Sequence, residues 1–183
     1  QTALHNHLQR ESPSVMYLHI EGDGDAVAIG RAVRSALELT GTPPAAAPAP
    51  TAPIQLDTAQ VASIIGQRGA INGGVYQLVV PRAETIRAHG MEIPPSMGVG
   101  TVINFQPVEN GKAAITGDFV LTGEEVAPVI KELNSAGIAV TALHSHMLSE
   151  EPRLFFMHFW AVDDAMKLAR GLRAALDKTG TRH

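Results

Sequence analysis

The chain contains no cysteine. That excludes a disulfide framework and any thiolate metal site. Aromatic residues make up only 4% of it, and no basic run stands interleaved with them. With a net charge of −4, nucleic-acid binding is disfavoured. No apolar run approaches the ~20 residues that a bilayer-spanning helix needs. There is no dinucleotide fingerprint, no Walker motif and no Ser-His-Asp order. Gly66-Gln-Arg-Gly69 and Gly98-Val-Gly100 are too short to cradle a phosphate. What remains, 183 residues with 45% hydrophobic and 17% charged content, is the composition of an ordinary globular protein. It is long enough for one domain, or one and a half small ones.

What is present is histidine in a pattern. Six of the eight histidines fall in two triplets, His5, His7, His19 and His144, His146, His158. A shift of 139 positions lays one triplet on the other, with Glu11 on Glu150 and Pro13 on Pro152. The register runs without a gap from Thr2 on Thr141 to Thr42 on Thr181, and 17 of the 41 aligned positions are identical. Such a match is an internal repeat.

Read in order, the chain opens with two short strands over 2–8 and 14–21. Asp25 is positioned to cap a helix over 26–39. Residues 43–55 form a Pro/Ala stretch that cannot build a core and reads as a semi-rigid linker. Beyond it, Asp57 can cap a helix over 58–65, and 75–80 is a strand by composition. Residues 81–95 read as irregular. Strands over 100–107 and 112–121 flank Asn110-Gly111, a hairpin signal. Gly117-Asp118, inside the second of these, reads as a bulge. Thr122 can cap a helix over 123–135 that Gly137 stops. Strands over 138–148 and 153–162 and a helix over 163–176 complete the chain. The expected fold class is α+β, an antiparallel sheet with helices on one face built around a ferredoxin-like split βαβ unit. The expected organisation is a partial first repeat (1–42), the linker (43–55) and a complete second repeat (56–183).

Side chains alternate across a strand, so His144 and His146 share a face. His158 joins them if the hairpin pairs with an even residue sum, and faces away if the sum is odd. Three imidazoles converging at Cβ separations of ~5 Å suit one metal ion. Glu150, in the turn, is a candidate fourth ligand or general base. The same roles fall on His5, His7, His19 and Glu11 in the first copy. If the polar faces of two sheets pack together, both triplets line one cavity. Such donors suit a divalent transition metal, zinc above manganese, iron, nickel or copper. The plainer alternative is a hydrogen-bonded imidazole layer, or a face that holds a small molecule or a partner protein without metal. His89 and His183 stand outside the pattern. Arg82 and Arg153 read as salt-bridge residues before anion ligands, and Asp118 as a carboxylate that could orient a histidine. The residues name no reaction.

The text Gly117-Asp-Phe-Val-Leu, Thr141-Ala-Leu-His-Ser-His-Met and Pro152-Arg-Leu-Phe-Phe-Met-His-Phe-Trp160 resembles the LppY/LpqO family, a bacterial family of unknown function with lipoprotein members. The resemblance covers nearly the whole chain apart from the Pro/Ala stretch. It implies tandem duplication and a secreted, periplasmic or envelope setting, to which the absence of cysteine is suited. It implies no activity. The first copy here lacks the strand and helix that precede the histidines in that family. This reads as truncation or processing, and as a half-unit that needs a homo-oligomer or a missing N-terminal part to cover it.

Overall fold

The structure is a computed structural model that describes residues 1–8, 12–41 and 53–182. Glu11 and most of the Pro/Ala stretch lie outside the described residues.

The fold is α+β. Its centre is a six-stranded sheet in the order β3 (Ala70–Asn72), β4 (Val75–Pro81), β7 (Gly100–Pro107), β8 (Lys112–Leu121), β10 (Phe155–Asp164), β9 (Ala139–His144). Every neighbouring pair is antiparallel. Three helices, α2 (Thr58–Ile65), α3 (Gly123–Ser135) and α4 (Ala165–Leu176), cover one face. The run β8-α3-β9-β10-α4 places β10 between β8 and β9, which is the split βαβ arrangement expected from the element order.

The helices begin where the sequence marks them. Asp57 accepts from the Gln60 N–H at 2.9 Å, and Asp164 from the Lys167 N–H at 2.8 Å. Thr122 and Glu125 form a capping box at the start of α3. The α2 helix ends on Gly66 with φ of 81°, a left-handed turn that glycine adopts without strain. Alternation then divides the sheet. Met157 and Phe159 of β10, with Phe119 and Leu121 of β8, are fully buried against Leu133 of α3 and Leu168 and Leu172 of α4. The intervening residues Val120 and Phe156 form a second, smaller apolar cluster with Ile86, Val99 and Leu154 on the opposite face.

Three expectations from the sequence are corrected. Residues 81–95, read as irregular, contain a small hairpin, β5 (Ile86–Ala88) and β6 (Met91–Ile93). Three-residue strands are too short for alternation to show. The strand expected over 138–148 stops at His144, and His146 lies in the loop that follows. Gly117 is no bulge: it pairs in register with Phe159 and Ile103, and the irregularity lies between His158 and Phe159 on the β9 side. Glycine is needed at 117 for close approach, because a Cβ there would stand 2.1 Å from the Val102 carbonyl oxygen and 2.7 Å from the Phe159 ring.

The N-terminal part forms an antiparallel pair, β1 (Ala3–His5) and β2 (Tyr17–His19), followed by α1 (Ala26–Leu37), which Asp25 caps at the Ala28 N–H. Its register is Ala3 on His19, Leu4 on Leu18 and His5 on Tyr17. The C-terminal hairpin pairs Ala142 with His158, Leu143 with Met157 and His144 with Phe156. Adding 139 to each residue of the first set returns the second. No helix is long and apolar enough to cross a membrane among the described residues.

Candidate metal centre

His144 ends β9 and His158 lies mid-strand on β10, where it pairs with Ala142 on one side and Asp118 on the other. The residue sum is even, so His158 and His144 share the face away from the helices. Their Nε2 atoms stand 2.8 Å apart. His146, though beyond the strand, turns to the same side and stacks on Phe156 at 3.6 Å between ring centroids.

The N-terminal hairpin brings its histidines onto this face. His5 meets His144 at 3.6 Å, His7 stacks on His158 at 3.9 Å, and His19 stacks on His146 at 3.7 Å. These contacts have an internal two-fold relation. The 139-residue shift turns the His7–His158 pair into the His146–His19 pair, and maps His5–His144 onto itself. His7 on Tyr17 at 3.6 Å likewise corresponds to His146 on Phe156. The two triplets therefore interleave as one cluster. Within it, His5, His144, His146 and His158 each offer a nitrogen, all within 4.8 Å of one another.

Burial is the main influence on their charge. It lowers the pKa of His5 to about 4, of His146 to about 2 and of His158 to about 3, with neighbouring imidazoles pushing the same way. His19 and His144 are lowered for the same first reason. At neutral pH these rings are uncharged and carry bare nitrogens, the state a metal requires. Both ring nitrogens of His5, and Nε2 of His19 and of His146, are buried without a hydrogen-bond partner. Asp118 faces the group from β8, with Oδ1 3.7 Å from His158 Nδ1 and Oδ2 3.9 Å from His146 Nε2. Burial raises its pKa to about 8.

Glu150 is not brought into this group. Its side chain is buried in the turn, where Oε1 accepts from the Leu154 N–H at 2.9 Å and Oε2 from Arg153 at 3.3 Å. Arg153 also binds the Met147 carbonyl oxygen and Ser145, so this residue and Glu150 hold the 145–154 loop. Glu11, the matching position, lies outside the described residues. His89 is exposed and paired with Glu21 at 3.0 Å. Arg82 forms salt bridges, but in the interior: at 3% exposure it donates to Glu84, Glu125 and the Val120 carbonyl oxygen. An open groove of about 870 Å³ lies beside α2, lined by Thr58, Ala62, Gly66, Arg68 and Tyr76, and by none of the histidines.

A family model described as a Domain of Unknown Function (DUF1259) matches residues 1–39 and 59–178. The chain belongs to that family. The match passes over the Pro/Ala stretch and takes in all six clustered histidines. No curated protein and no solved structure matches the chain.

Proposed function

We propose that this protein binds one divalent transition-metal ion in a site shared between its two hairpins, with His5, His144, His146 and His158 as ligands. The observation that carries the reading is the convergence of four imidazole nitrogens within 4.8 Å, from both hairpins, three of the four rings held well below their ordinary pKa at about 2 to 4. Four nitrogens on a tetrahedral zinc ion stand ~3.3 Å apart, so a small contraction of the group completes such a shell. An all-imidazole shell favours zinc, and also accepts copper, nickel or iron. His7 and His19, stacked on two of the ligands, fix the ring planes. Glu150 takes no part as ligand or base in this reading, because its oxygens are already engaged.

The duplication belongs to this proposal. The shared register of the two hairpins and the two-fold pattern of ring contacts are what a repeated hairpin turned onto its own copy would produce. The Pro/Ala stretch then separates the two copies in sequence. The secreted, periplasmic or envelope setting and the LppY/LpqO relationship are carried with it from the sequence, and fractionation of producing cells tests the setting.

Elemental analysis of untagged protein, followed by thermal shift with each divalent ion, is the experiment. One ion per chain, lost in His144→Ala and kept in His89→Ala, is the expected result. An ion-free protein whose melting no divalent ion shifts would instead favour the binding-module reading, in which Tyr17 and Phe156 wall a pocket for a small molecule.

A further inference from the structure

We propose that Asp118 is the positioning residue of this site: its carboxylate accepts a hydrogen bond from the His158 Nδ1–H, so that the ring presents a bare Nε2 to the ion. The inference rests on the metal reading above and adds a residue that lies on neither hairpin turn.

Asp118 on β8 is directly opposite His158 on β10, so both side chains leave the sheet on the same face. His158 is 1% exposed and its two nitrogens have distinct surroundings. Nε2 points into the cluster, 2.8 Å from His144 Nε2. Nδ1 points back toward β8, 3.3 Å from the Gly117 carbonyl oxygen and 3.7 Å from Asp118 Oδ1. The two groups placed near Nδ1 are oxygens, the Gly117 carbonyl and the Asp118 carboxyl, and both accept once Asp118 is ionised. A proton on Nδ1 meets these two oxygens, whereas a proton on Nε2 bonds only His144 Nε2 and occupies the position an ion would take. A histidine that ligates through one nitrogen carries its proton on the other, and a carboxylate on that proton sets the tautomer, orients the ring and raises its basicity.

Asp118 itself needs such a partner. Oδ1 is buried with no hydrogen bond, and the side chain is only 18% exposed. A buried carboxylate without a donor is unfavourable. Charge on the neighbouring ion offsets this, and an imidazole bound to a divalent ion is a stronger N–H donor than a free one. Asp118 therefore costs stability in the empty protein and gains its partner in the loaded one. A carboxylate that serves only the fold would stabilise both states.

That difference in sign is the test. Wild type, Asp118→Asn and Asp118→Ala are compared in two measurements: melting in chelator, and affinity for zinc or for a spectroscopic probe ion, cobalt(II), with its visible spectrum. The expected result is ~10–100-fold weaker binding in both variants, an altered cobalt(II) spectrum, and melting in chelator that is unchanged or higher. Unchanged affinity and spectrum would overturn the role of Asp118 while leaving the metal site intact. So would melting in chelator that falls in step with affinity in both variants, since that is the behaviour of a structural group. A wild-type chain that takes up neither ion overturns the metal reading first, and this role with it.

Discussion

His5 lies against His144 with ring centroids 3.6 Å apart, and the two are equivalent positions of the repeated text. The contact maps onto itself under the 139-residue shift. In the proposed site an ion would take ligands from both halves of the chain. His5→Ala should therefore weaken metal binding by at least the ~10–100-fold that changes around a ligand cost, although β9 and β10 are untouched. Titration with zinc checks it. Affinity equal to wild type would mean that His144, His146 and His158 suffice, and that the shared site is wrong.

Among the described residues of 1–41, none contributes a side chain to either apolar cluster. Leu4, Leu18 and Ile20 are each more than half exposed, and α1 buries nothing. The N-terminal hairpin meets the body through the histidine layer and the Glu21–His89 pair. An ion held by both sides stabilises the docked form by mass action, ~4 kcal/mol at a thousandfold excess over Kd. Chelation should therefore speed amide hydrogen exchange across β1 and β2 and leave β7, β8 and β10 unchanged. Equal exchange in both states would show that docking does not depend on the ion.

Acid should act on the same layer. The folded chain holds His5, His146 and His158 uncharged to about pH 4, 2 and 3, whereas the unfolded chain protonates them near 6.5. Below 6.5 the unfolded state takes up the protons first, so these groups lower stability as the pH falls through that window. Asp118 works in the other direction. Unfolded it ionises above 3.8 and folded only near 8, so its cost grows as the pH rises between the two. In chelator, Asp118→Asn should gain on wild type more at pH 7.5 than at pH 5. Denaturant unfolding at the two pH values measures the gap, and a gap of equal size at both contradicts the account.

Arg82 should be a pure stability residue. Its guanidinium binds Glu125 at 2.7 and 3.0 Å and Glu84 at 2.8 Å, and Glu125 in turn accepts from the Thr122 and Gly180 N–H groups. The network ties β4, the start of α3 and the C-terminal segment together. Arg82→Ala strands the Glu125 carboxylate, and loss of ~3–5 kcal/mol is expected. Metal stoichiometry in the protein that still folds should be one per chain. A loss below 1 kcal/mol in urea unfolding would refute the network's role.

The sequence by itself determined the local features. A period of two and a period of 3.6 depend only on neighbours along the chain. That is why α2, α3, β7 and β8 stand within the limits expected of them, and why His158 joins His144 once the hairpin parity is even. Shared text likewise made the two triplets legible as equivalents. The tertiary structure alone decided which atoms meet. Nothing near His7 in sequence says that it stacks on His158, because that contact depends on how one hairpin docks on the other. Glu150 looked available from spacing, yet the Leu154 N–H and Arg153 claim its oxygens, since a buried carboxylate takes the nearest donors. Asp118 gained its position through strand register with a residue 40 positions away. Short-range pattern chose the histidines, and long-range packing chose the carboxylate that faces them.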